Sequence, residues 1–330
     1  MTLHSEKLSP PPATSGVRWW GNSFVRVILG RVGQLAVLLW GVSTLLFFLL
    51  RFAGDPALIM AGDNATSEFV DEIRVQYGLD RPLFVQYFFF LWHAAKLDFG
   101  YSLASGLPSL DLVLAQLPWT IKLSGLAIML NLLVAIPLGA WLGQAPERRT
   151  RNAVSSLVFI LQGTPGFVTG LLLIQFFAVK LGLFPSIGSE GTLSWVLPTL
   201  TLTAFLAPRL TRVLASNVAE AMQTDFVRTA RAAGASESQV LVRHALPNAL
   251  LGTAALAGSQ LSYLLSGAII TETIFAWPGL GLLLIDSVRT LDFPVVQASV
   301  FVVACFVFFV NTSVEMLFRI LDPRLKQRTK

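Results

Sequence analysis

Apolar residues in this chain are gathered into long runs rather than spaced at the three- and four-residue intervals of an amphipathic surface helix. A helix needs roughly 20 apolar residues to cross the hydrocarbon core of a bilayer. Six runs reach that length, at about 27–52, 119–142, 153–179, 195–214, 249–270 and 295–318. The pattern predicts an all-α polytopic membrane protein of about six transmembrane helices. The fourth run is the weakest, because Pro198, Pro208 and several threonines interrupt it. Such breakers are tolerated where neighbouring helices satisfy the freed backbone groups. In the third run Gly163-Thr-Pro-Gly166 puts a helix breaker at mid-membrane. It is either a kink that shapes a pathway, which makes Gly163 and Pro165 pathway candidates, or an accommodation to packing. The pairs Gly139/Gly143 and Gly166/Gly170 have the four-residue spacing that lets helices approach closely.

Two polar stretches stand out between the runs. The first, 54–118, opens on the turn Gly54-Asp-Pro56. Thr66 or Ser67 caps a short predicted helix closed by Gly78, and 83–97 reads as an aromatic-rich helix suited to the membrane surface. The second, DFVRTARAAGASESQVLVRHALPN at 225–248, reads as a helix, a turn at Gly234 and a second helix. Gly takes the left-handed conformation at least steric cost, and Ser236 with Gln239 has the spacing of a capping box. Pro247 is expected to close the second helix.

Hydrophobic residues make up 54% of the 330 and charged residues 13%, which excludes a soluble globular chain. The first run is too long and too late for a cleaved signal peptide and is expected to remain as an anchor. The single cysteine, Cys305, gives no intrachain disulfide and no cysteine metal site. Basic residues concentrate in the leader (Lys7, Arg18, Arg26, Arg31), at Arg148, Arg149 and Arg151, around Gly234 (Arg209, Arg212, Arg228, Arg231, Arg243) and in the tail from Arg319 to Lys330. With six spans these regions share one side, and the positive-inside rule makes it the cytoplasm, both termini included. The 54–118 connection, rich in Asp and Glu, is then external. The net charge of +5 records this bias, and no nucleic-acid partner is expected.

No lysine follows a glycine, so a Walker A phosphate loop is impossible and any ATP must be hydrolysed by another subunit. His4, His93 and His244 are far apart, and neither HExxH nor GxSxG occurs. No catalytic constellation, cofactor or metal site is predicted. Among charges near the spans, Glu272 either lines an outer gate or is a solvated interfacial residue, while Lys122 and Glu315 are expected to snorkel to opposite interfaces. The mid-span acid wanted by the rival reading, an ion-coupled secondary transporter, is missing.

The 225–248 segment resembles the cytoplasmic EAA loop of ABC importer permeases. Ala230, Gly234, Leu246 and Pro247 fit that pattern, and Arg228, Thr229 and His244 depart from it as the dipeptide, oligopeptide and nickel subfamily does. GLDRP at 78–82, DFGYS at 98–102, GAIITETIFAWPGLG at 267–281, DFPVVQ at 292–297 and the terminal DPR at 322–324 resemble the same subfamily, in its B-type subunit. The resemblance implies a type I importer (MetI-like) fold in the bacterial inner membrane, with a leader at 1–25, a first helix and external segment at 26–118, a permease domain at 119–319 with its coupling loop at about 215–248, and a tail at 320–330. It implies an ATPase-coupling role for Asp225, Arg228, Ala230, Arg231, Ala233, Gly234, His244, Leu246 and Pro247, and adds Trp277 and Pro278 to Glu272 as outer-gate candidates. Implied partners are a second homologous permease of the C type, two ATP-binding subunits that hold ATP and Mg, an extracytoplasmic substrate-binding protein, and membrane lipid. Peptides are the implied substrates, with nickel, a metal chelate or glutathione as alternatives.

Overall fold

The computed structural model describes residues 20–62, 65–144 and 149–321. The leader up to residue 19, Arg148 and the tail from Asp322 lie outside the described residues, so the charges expected there have no structural account.

The chain opens with α1 (Trp20–Ala53), followed by three short helices, α2 (Pro56–Ala61), α3 (Ser67–Gln76) and α4 (Leu83–Ala95). The long α5 (Ser109–Gly143) comes next, then α6 (Arg149–Gly163) and α7 (Gly166–Leu173), which runs on as a π-helical stretch over Ile174–Lys180. After α8 (Val196–Ala221) come α9 (Asp225–Ala232) and α10 (Glu237–Val240). A π turn at Leu241–Ala245 leads into α11 (Leu246–Gly267), and α12 (Ile269–Ile274), α13 (Leu280–Arg289) and α14 (Phe293–Leu321) complete the bundle.

The apolar runs map onto this architecture with two differences. Among the described residues four helices are long and apolar enough to cross a membrane: Ile28–Phe52, Ser109–Gly143, Glu237–Leu264 and Phe293–Leu317. The third run is not a straight span, because Arg149–Gly163 and Gly166–Lys180 meet at 105° across the expected Gly-Thr-Pro breaker. The fourth run is α8, whose 26 residues would extend about 39 Å. Its threonines and prolines are unlike a lipid-facing helix because it is covered by protein. Thr199, Thr201, Thr203, Pro208 and Thr211 are all buried against the surrounding helices.

Close approach of α5 to α8 depends on the predicted glycine pair. A methyl group added at Gly139 would stand 2.9 Å from the Thr211 carbonyl, and one at Gly143 would stand 2.6 Å from the Ala215 carbonyl and 2.7 Å from Val218 Cβ. At mid-height the α5–α8–α11 junction is polar. Asn131 donates to Gln260 Oε1 at 2.8 Å, and Gln260 donates to the Leu206 carbonyl at 2.9 Å.

The 54–118 connection is anchored rather than free. Asp55 caps α2 and Thr66 caps α3, and Gly78 closes that region at φ +64°. Helix α4 packs on the end of α1 through Phe47, whose ring lies 5.3 Å from Tyr87 and 5.7 Å from Phe90. Its outer face leaves Phe84, Phe88 and Trp92 exposed, so the helix is aromatic as expected but apolar on more than one face. Further on, Asp292 accepts hydrogen bonds from the Ser102 hydroxyl and from the Leu103 backbone at 3.1 Å. DFGYS and DFPVVQ, far apart in sequence, are thus neighbours. At the other end of the bundle Arg31 of α1 pairs with Glu315 of α14, so Glu315 is held by a partner helix rather than simply snorkelling.

The Gly143 contact yields a direct test. Gly143→Val should destabilise the bundle by about 1–3 kcal/mol through overpacking. Gly41→Ala on α1, which meets nothing within 4 Å, should not lower stability and, as a helix-interior exchange, should raise it slightly. Thermal unfolding of the detergent-solubilised protein separates the two outcomes.

Candidate functional site

The 225–248 segment folds as a helix–turn–helix on the end of the bundle. At the turn Gly234 has φ +85° and nothing within 4 Å of a hypothetical side chain, so its requirement is conformational rather than steric. The Ala235 amide donates to the Ala230 carbonyl at 3.1 Å and the Gly234 amide to the Arg231 carbonyl at 3.0 Å, the paired bonds of a Schellman ending. Immediately afterwards the Ser236 side chain accepts from the Gln239 amide at 3.4 Å while Gln239 accepts from the Ser236 amide at 3.1 Å. This is the predicted capping box. Val227, Val240, Leu241 and Ala245 then bury their side chains with Ala140 of α5 and Leu214 and Val218 of α8, fastening the turn to the bundle.

Charge reinforces the turn. Arg231 donates from Nε at 2.8 Å and from Nη2 at 3.0 Å to the two oxygens of Glu237, a fork-to-fork pair that bridges α9 and α10. These hydrogen bonds raise the Arg231 guanidinium above its ordinary value. Arg228 meets Asp225 at 3.3 Å, with both side chains largely in solvent. Ala233, Gly234, Arg243 and His244 are exposed, and Ala230 and Leu246 are partly buried. Sequence reasoning missed Phe226 and Val242, apolar residues left 41% and 56% exposed beside these charges. Their position on the outer face of short amphipathic helices is the signal that would have found them.

Pro247 does not close the second helix. It lies in the first turn of α11, directly after the π turn, and α10 to α11 form one span over Glu237–Leu264. The wider turn gives the proline ring room and leaves no α-type hydrogen bond for its missing N–H to break.

At the opposite end Glu272 is neither solvated nor open to a pathway. It is fully buried, and its carboxylate accepts from the Thr120 hydroxyl at 2.7 Å, the Gly281 amide at 2.6 Å and the Leu282 amide at 3.4 Å. It thereby caps the N-terminus of α13 and ties it to α5. A side chain at Gly279 would stand 2.4 Å from that carboxylate, which accounts for the glycine. Trp277, 1% exposed, donates to the Trp119 carbonyl at 3.1 Å, and Pro278 is half-buried beside it. Lys122 lies over the Trp119 and Trp277 rings at 5.3 and 6.0 Å. Gly163 and Pro165 are exposed at the bend between α6 and α7, away from this cluster.

Arg209 and Arg212 also differ from expectation. Both were grouped with the loop charges, yet both lie on α8 well before its end at Ala221. Arg212 donates to Gln162 at 2.7 Å and stacks over Phe159 at 4.4 Å.

The comparisons with known proteins agree with this architecture. The family described as binding-protein-dependent transport system inner membrane component matches residues 135–327, and its N-terminal companion matches 24–124. The chain belongs to this family: it is a multi-pass inner-membrane permease subunit of an ABC importer, working with a partner permease, a substrate-binding protein and ATPase subunits that carry the hydrolytic site. It is 34% identical over 313 residues to the glutathione transport system permease protein GsiC of Escherichia coli K12, covering 93% of this chain and 99% of that one. The GsiC of Shigella flexneri serotype 5b is 33% identical over the same length. Among solved structures, the inward-facing MetNI methionine ABC transporter superposes with a TM-score of 0.56 at 21% identity, over 64% of this chain and 96% of that one. An amino acid ABC transporter with histidines gives 0.50 at 17%, over 65% and 94%. The MetI-like fold is shared.

Glu272→Ala should leave two backbone amides and a hydroxyl without their acceptor, each unsatisfied group costing about 1–3 kcal/mol. The melting temperature of the purified chain should fall sharply. Glu272→Gln, whose amide oxygen still accepts, should fall less.

Proposed function

We propose that this permease forms half of the inner-membrane path for short peptides, with its C-type counterpart forming the other half, and that ATP-binding subunits grip it by the 225–248 helix–turn–helix. The observation that carries the coupling reading is the bracing of the turn. A Schellman ending, a capping box and a bidentate ion pair, all between Ala230 and Gln239, make a small rigid body, which is what transmission of force requires. Asp225, Arg228, His244 and Pro247 line its exposed face with Phe226 and Val242, offering charge and apolar area to a partner groove.

On this reading the end bearing the turn is cytoplasmic, and so are both termini, while α2 to α4 are external. The arginines at 149, 151, 228, 231 and 243 near that end support this sidedness. The peptide substrate class draws support from the similarity to permeases named for glutathione, a tripeptide. Nickel and metal chelates are the alternatives, and ATP-dependent uptake of labelled peptide in the presence of excess nickel discriminates between them.

Two measurements test the proposal. Gly234→Val places a β-branched residue at positive φ, a local strain of about 1–3 kcal/mol that is too small to unfold the bundle. The variant should insert normally yet lose co-purification with the ATP-binding subunits, as should Arg231→Glu. Retained assembly and uptake in both would refute the coupling role. For sidedness, cysteines introduced at Asp71 and Arg231 should react with an impermeant thiol reagent from opposite faces of the membrane.

A further inference from the structure

Arg209 occupies an unusual place. It stands thirteen residues after Val196, the first residue of α8, hence about 20 Å along a helix that crosses a core of about 30 Å. Leu206, one turn earlier, is level with Asn131 and Gln260 in the middle of α5 and α11. Most of α8 is enclosed, but Phe205, Arg209, Arg212 and Ser216 recur at four, three and four residues and make one open face. Arg212 on that face is committed to Gln162 and Phe159. Arg209 is exposed and has no hydrogen-bond or ion-pair partner among the described residues.

The same face borders a cavity of about 380 Å³ lined by Arg209, Gln162, Phe205, Ser259, Gln260 and Tyr263. That volume suits a small ligand. Its walls are built rather than incidental. Gln260 is pinned on both sides of its amide, and the Phe205 and Tyr263 rings stack at 5.6 Å. A guanidinium at membrane depth is costly unless it serves a pathway or finds an anion. Its planar fork suits a carboxylate.

We propose that Arg209 is the anion-recognition residue of the translocation path, holding the free carboxylate of a substrate in transit, with the Phe205 and Tyr263 pair as the adjoining apolar wall. This rests on the importer reading above and adds to it the substrate's required chemistry: a small molecule bearing a carboxylate, such as the C-terminus of a short peptide. The rival use of Arg209, an ion pair with an acid of the partner permease, would leave no free guanidinium in the assembled importer.

The chain's one cysteine allows a clean test. Cys305→Ala with Ser259→Cys puts a single thiol of this chain on the cavity wall. In the assembled importer in lipid nanodiscs, with and without ATP, its reaction with anionic sulfonatoethyl and cationic trimethylammonioethyl methanethiosulfonates is followed by the mass of this chain. The anionic reagent should be favoured. Arg209→Gln should lower the anionic-to-cationic rate ratio about tenfold, as expected for loss of one nearby charge, and Arg209→Lys should preserve it. Tri-alanine should slow labelling and its C-terminal amide should not. A ratio unchanged by Arg209→Gln, equal protection by acid and amide, or a thiol that reacts in the isolated chain but never in the assembled importer would overturn the proposal. Failure of Arg209→Gln to assemble with the partner permease would overturn it in favour of the intersubunit ion pair. ATP-dependent uptake by the Cys305→Ala importer is scored separately. Its absence would count against the importer reading, whereas normal uptake with a flat reagent ratio would sink only the role of Arg209.

Discussion

The structure depends on one constraint, that polar groups inside a bilayer must be shielded from lipid by the protein, and α8 is the helix most enclosed. Wrapped by α5, α6, α7 and α11, this helix keeps Thr199, Thr201, Thr203 and Thr211 buried against protein. Thr201 returns its hydroxyl to the Leu197 carbonyl at 2.8 Å, and the Asn131–Gln260 pair reaches the Leu206 carbonyl from the neighbouring helices. Close packing at Gly139 and Gly143 is what brings those partners within reach. The other helices form a shell around this axis.

Each end of the axis carries a capped attachment. At one end α9 and α10 are held by backbone caps and buried valines, with their charges turned outward. At the other, α12 and α13 are held by a buried carboxylate on a helix N-terminus and an indole on a carbonyl. The contrast follows from surroundings. A carboxylate removed from water needs several donors aimed at it, whereas exposed ion pairs such as Arg228 with Asp225 contribute little to stability.

Much of this was legible in the amino-acid sequence, and the failures share a cause. Runs one, two, five and six were readable because lipid contact imposes apolarity directly. The Gly234 turn was readable because its chemistry is local: a glycine that must take positive φ and a capping box between Ser236 and Gln239. Elements whose surroundings are protein were harder. The mixed composition of α8 looked like weakness and reflects enclosure. In the third run the Gly-Thr-Pro breaker was legible but its 105° bend was not, because hydropathy does not register an angle. Pro247 looked like a terminator because the π turn that accommodates it leaves no mark in the sequence. Glu272 and Arg209 were both misplaced. Glu272 depends on Thr120, about 150 residues away, and the depth of Arg209 depends on where α8 begins.

The π turn at Leu241–Ala245 has a geometric consequence of its own. It holds one residue more than an α turn at the joint between the 225–248 segment and the long helix that enters the membrane. Were that residue absorbed into regular helix, the phase of everything beyond it would change by about 100°, with an axial step of only about 1.5 Å. The joint is therefore an angular device more than a linear one. A shift of one residue at this joint would turn Ser259 and Tyr263 away from their present bearing on the cavity without lengthening or tilting the helix that carries them.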